Sequence, residues 1–79
     1  MNYEQEIEVN SFYFNRGLKG FPRQITFANR RYTFQEGLQY LVGKGTRNLR
    51  LFDMTDGTTT YRLKNEEDRW SLISISPQA

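Results

Sequence analysis

Eight of the eleven basic residues in this 79-residue chain lie between Val9 and Phe52. They are Arg16, Lys19, Arg23, Arg30, Arg31, Lys44, Arg47 and Arg50, and a single acid, Glu36, interrupts them. That segment carries +7, the first eight residues −3 and the residues from Asp53 onward −2, so the net charge of +2 hides a polarised chain. Six of the eight are Arg, whose planar guanidinium binds phosphate through paired hydrogen bonds and stacks on rings. Phe12, Phe14, Phe21 and Tyr32 are interleaved with them. Cations that track phosphates beside rings that stack bases are the composition of a single-stranded nucleic-acid surface. The residues assigned to it are the eight cations together with Phe14 and Phe21. The competing reading makes the cations a solvated surface and the rings a core.

Catalytic chemistry finds little material. The chain has no His and no Cys, which removes the usual general base, the usual transition-metal ligand and the thiol nucleophile. Ser11, Ser71, Ser74 and Ser76 have no His to activate them. Gly43-Lys44-Gly45-Thr46 misses the phosphate-loop pattern, because Gly45 stands where a hydroxyl must hold magnesium. Asp53 and Asp56 flank a turn, and Glu66-Glu67-Asp68 is a solvated turn tip. The expectation is a protein that is not an enzyme and uses no cofactor and no metal.

The elements that hold these residues read as strands. Leu49–Met54, Thr58–Lys64 and Arg69–Ile75 form a meander. A three-residue Thr55-Asp56-Gly57 loop sets Leu51 opposite Tyr61 and Leu49 opposite Leu63. The next turn sets Leu63 opposite Trp70 and Tyr61 opposite Leu72. The core face is then Leu49, Leu51, Tyr61, Leu63, Trp70 and Leu72. The reverse face carries Arg50, Phe52, Thr60, Arg62, Ser71, Ile73 and Ile75, with its apolar part covered by the N-terminal segment. An earlier hairpin turns at Asn29-Arg30 and pairs Phe27 with Tyr32 and Ile25 with Phe34. Ile7–Phe14 is one strand, with Ile7, Val9 and Tyr13 on one side and Phe12 and Phe14 on the other. Pro22 suits the start of the next strand.

Residues 34–42 fit two descriptions. Thr33 and Glu36 make a capping box ahead of apolar residues at helical spacing. Gly37 opposes a helix, and Leu38, Tyr40 and Val42 alternate as in a strand. The strand is preferred. The fold class is therefore mainly β, a small barrel or strongly bent antiparallel sheet of five to seven short strands. The alternative is α+β with one short helix over 34–42.

Residues 1–79 make one small domain, with 76–79 a loose tail. The acidic start is no secretory signal, no apolar run spans a bilayer, and the lack of cysteine fits a reducing cytoplasm. Two binding functions follow. The first is a protein-interaction domain or homodimer that uses a strand edge or the mixed face around Phe52, Arg62 and Ile73. The second is binding of RNA or single-stranded DNA, without sequence choice, through residues 9–52.

Overall fold

The computed structural model describes residues 2–14, 20–44 and 47–77, with the side chains of these except at 2, 3, 41–44, 47 and 48. Strands occupy almost all of it: β1 (Asn2–Glu6), β2 (Glu8–Phe14), β3 (Gly20–Phe27), β4 (Arg30–Thr33), β5 (Glu36–Lys44), β6 (Arg47–Thr55), β7 (Thr59–Glu66) and β8 (Arg69–Pro77). They form two antiparallel sheets. One has five strands in the order β1-β8-β7-β6-β5, the other three in the order β2-β3-β4. The sheets are not closed into a barrel. The mainly β class is found, with eight strands where five to seven were expected. No helix here is long and apolar enough to cross a membrane.

The additional strand arises at Ile7. Its N–H donates to the Trp70 carbonyl at 3.0 Å, and its side chain is buried. The chain leaves the five-stranded sheet at this point and enters the three-stranded one. What reads as one strand from Ile7 is thus the second of two. Val9 and Tyr13 face inward and Phe12 and Phe14 stay exposed, as their alternation indicated.

The core lies between the sheets. Phe21 and Ile25 of β3, with Phe34 after β4, meet Phe52 and Met54 of β6, Tyr61 and Leu63 of β7 and Leu72 of β8. Rings carry much of the contact. Phe21 meets Phe52 edge-on at 5.9 Å, Phe34 meets Tyr61 at 5.3 Å, and Trp70 meets Phe52 at 5.2 Å. Such pairs add roughly 0.5–1.5 kcal/mol each beyond the area they bury.

Three registers differ from expectation. Phe27 pairs with Arg30 and Ile25 with Tyr32, because the chain turns at Ala28-Asn29, both at positive φ. Leu63 pairs with Leu72, because it turns at Glu67-Asp68, again both at positive φ. Two left-handed central residues match the right-handed twist of the flanking strands. In β6–β7, Met54 rather than Leu51 lies opposite Tyr61, and Phe52 lies opposite Leu63. This shift is odd, so it exchanges the faces of β6. Phe52 is interior, and Leu49 and Leu51 fall on the outer side. Ser76 and Pro77, expected in a loose tail, pair with Thr60 and Thr59 at the end of β8.

Asp56 causes that odd shift. Its Oδ1 accepts from the Thr58 and Thr59 amides at 3.0 and 2.9 Å and from the Thr58 hydroxyl at 3.1 Å. The Tyr61 hydroxyl donates to Oδ2 at 3.4 Å. Gly57 takes φ +103° between them. The first paired rung is therefore Thr55–Thr60. The two backbone amides hold the Asp56 carboxyl below its ordinary pKa of 3.8. A lowered folded-state pKa contributes stability that is complete above the ordinary value and lost as pH falls through the folded one. Urea titrations of wild type and Asp56→Asn from pH 7 to pH 2 check this. The gap between the two proteins should be constant above the carboxylate range and narrow below pH 3.8.

Residues 35–42 are not helical. β5 takes Glu36 onward, and Gly37 sits where this strand lies close against β6. A Cβ there would lie 2.2 Å from Met54 Sδ and 2.9 Å from the Asp53 carbonyl oxygen. Gly37 lets the fully buried Met54 side chain lie against the neighbouring backbone. Gly37→Ala should lower the unfolding free energy by about 1–3 kcal/mol, the usual cost of overpacking, with an unchanged denaturant slope.

Candidate interaction surface

The outer face of the five-stranded sheet is polar on β7, where Arg62 and Lys64 lie, and apolar toward β5. Leu38 lies opposite Asp53 and Tyr40 opposite Leu51. Leu38 is 63% exposed and Tyr40 43%. These two lie in one row on the outermost strand. Beside them a depression of about 440 Å³ is lined by Glu36, Gly37, Leu38, Asp53, Thr55 and Thr60.

Charged pairs border the apolar row. Arg62 Nε and Nη2 bond the two Asp53 carboxylate oxygens at 2.7 and 2.8 Å across β6–β7. The hydrogen bonds to Asp53 and its charge raise the Arg62 guanidinium above its ordinary pKa. Lys64 bonds Glu4 and lies 3.9 Å from Glu66. Lys64 and Arg69 share a second depression with Glu4, Glu66 and Glu67, so the acidic turn tip has cations beside it.

The four sheet edges differ in how they are protected. β1 is five residues long, carries Glu4 and Glu6 and has a register irregularity. β2 has two irregularities. β4 is four residues long and begins with two arginines. β5 is nine residues long and pairs with β6 without interruption from Glu36–Thr55 to Lys44–Arg47. It has no Pro, and its charges stand at its two ends. Short length, charge and bulges are the devices that keep strand edges from pairing. β5 has none of them along its middle.

Residues named from the sequence are placed as follows. Phe52 is 2% exposed and Phe21 5%, so both are core rings and neither is available at the surface. Arg62 is on the outer face as expected, ion-paired to Asp53. Ile73 is half-buried in β8, next to the irregularity between the Arg62–Ser74 and Leu63–Leu72 rungs. Arg23, Arg30, Arg31 and Arg50 are exposed on β3, β4 and β6, Arg30 opening β4 rather than lying in the turn expected at Asn29-Arg30. Lys44 and Arg47 face each other at the end of β5–β6 by backbone register. Arg16 and Lys19 lie outside the described residues. Phe14 is 68% exposed, with its ring lying against Gly20. Phe12, 48% exposed, lies 5.8 Å from Trp70. Burial and the Glu36 charge raise the Tyr13 phenol above its ordinary pKa, while Arg23 opposes them. Arg23 and Glu36 are therefore both within electrostatic reach of that ring.

Leu38 and Tyr40 were missed as surface residues. Their signal was present in the alternation of Leu38, Tyr40 and Val42, which defines one face of a strand but does not say whether anything covers it.

No family model matches the chain. No curated protein matches it in sequence, and no solved structure matches it in fold.

The Asp53–Arg62 pair flanks the surface without holding the fold. Exposed pairs couple by roughly 0.2–1 kcal/mol. A double-mutant cycle with Asp53→Asn and Arg62→Gln should give a coupling inside that range, shrinking with added salt.

Proposed function

We propose that this chain is a non-enzymatic, cytoplasmic protein-interaction module that receives an extended protein strand on the edge of β5. The observation that carries the reading is a nine-residue, uninterrupted edge strand with Leu38 and Tyr40 exposed along it. An added strand takes its affinity from main-chain hydrogen bonds and its specificity from alternate side chains. Leu38, Tyr40 and the adjoining depression supply the apolar contacts, and Glu36 and Asp53 favour a cation at one end.

The test is selection of extended peptides from a displayed library on wild type, with counter-selection on the Leu38→Asp/Tyr40→Asp variant. Binders should move the amide resonances of residues 36–44 and weaken about tenfold or more on the variant, a loss of roughly 1.4 kcal/mol. Binders that move β2–β4 and leave β5 unmoved would overturn the reading.

A second reading rests on the other sheet. Phe12 and Phe14 are exposed on β2, and Arg23, Arg30 and Arg31 are exposed on β3 and β4. Rings and cations on one three-stranded sheet suit RNA or single-stranded DNA. Titration with mixed-sequence oligonucleotides at two salt concentrations tests it. Shifts confined to β2–β4 that fade with salt would favour it, and an unchanged spectrum would remove it.

A further inference from the structure

From the pattern of β5 we infer that its occupant is β5 of a second copy of this chain, paired antiparallel about a two-fold axis at Tyr40. The inference rests on the reading of β5 as a receptive edge, and it names the partner.

The edge of β5 is self-complementary. A two-fold interface requires each residue to meet a partner on the same surface patch. β5 reads Glu36-Gly37-Leu38-Gln39-Tyr40-Leu41-Val42-Gly43-Lys44. Antiparallel pairing centred on Tyr40 sets Glu36 opposite Lys44 of the second copy, Gly37 opposite Gly43, Leu38 opposite Val42 and Tyr40 opposite itself. Acid meets base at both ends, glycine meets glycine, and the exposed apolar row meets an apolar row. Shifting the register by one residue places Gly37 opposite Lys44 or Glu36 opposite Gly43, and the end charges lose their partners. Opposite charges directly across a strand pair stabilise it, and like charges destabilise it.

Gln39 is an independent observation in the same place. Its Oε1 is buried and has no hydrogen-bond partner. Buried acceptors in native proteins are nearly always satisfied. In the two-fold pairing the Gln39 residues of the two copies are diagonal neighbours across the axis. Diagonal side chains are roughly 7–8 Å apart at the backbone, within reach of long side chains. A turn of each carboxamide toward the strand edge would bring its buried Oε1 out to accept from the other's Nε2. The product is one continuous ten-stranded sheet, two copies of the five-stranded one, with both β5 edges removed from solvent.

Sedimentation and light scattering across a concentration series test the inference. Wild type should pass from monomer to dimer with rising concentration. Tyr40→Lys places two cations at the axis and should abolish the dimer. Glu36→Lys and Lys44→Glu should each weaken it roughly tenfold, and the two together should restore it to within about threefold of wild type, because opposite charges again face each other. The chain has no cysteine, so Tyr40→Cys adds a unique thiol. Directly opposed residues lie about 4.5–5.5 Å apart at Cα, inside disulfide range. Under mild oxidation Tyr40→Cys should cross-link to dimer far faster than Phe14→Cys, an exposed control on β2.

A wild type monomeric at about a millimolar would overturn the inference. So would a dimer indifferent to Tyr40→Lys and to both charge reversals. A monomer that still binds selected peptides on β5 separates the two ideas: the edge remains a receptive one, and its partner is another protein.

Discussion

Asp56 decides which residues of β6 enter the core. Its carboxylate gathers the amides of Thr58 and Thr59 and fixes the first rung at Thr55–Thr60. Every position on β6 follows from that rung. Phe52 and Met54 face inward, Leu51 and Asp53 outward. A slip of one residue would place Asp53 and Leu51 against Ile25 and Phe34. One half-buried carboxylate in a turn thus determines the composition of a core that it touches through the Tyr61 hydroxyl alone among the described residues.

The rest of the architecture accommodates that choice. Met54 at its inward position needs Gly37 beside it, so β5 must carry a glycine there. Phe52 at its inward position meets Phe21 from the opposite sheet and Trp70 from its own. Tyr61 meets Phe34 and Tyr32, at 5.3 and 5.4 Å. The same alternation that sends Phe52 and Met54 inward turns Leu38 and Tyr40 outward on β5. The apolar row at the edge and the packed interior are therefore two faces of one register.

Parity explains how far the sequence could be read. In the β3–β4 hairpin the turn moves by one residue and the pairing by two, and an even shift keeps Ile25, Phe27 and Tyr32 on one face. The β7–β8 hairpin behaves the same way, so Leu63 and Leu72 remain inward although their partners change. In β6–β7 the shift is three, and the faces exchange. Ala28 and Glu67 conceal the two tight turns, because neither residue type advertises a left-handed backbone. Strand identity at residues 35–42 was legible in the alternation of Leu38, Tyr40 and Val42. The exposure of that row was not, because exposure depends on which strands lie at the edge, and strand order is not encoded in any single segment. The cationic surface was named by residue type, and its division between the strands of two sheets follows from topology alone.

β1 joins the five-stranded sheet beside β8, with Gln5 opposite Leu72 and Glu6 opposite Ser71. β1 therefore waits for β8 as the chain leaves the ribosome. Until β8 emerges, neither β1 nor β7 has the strand that lies between them, and the interior face of that sheet is incomplete. Pairing of such distant segments is slow to find. This sheet cannot be completed until β8 has emerged, and in that interval the nascent chain exposes β5 beside an unfinished core.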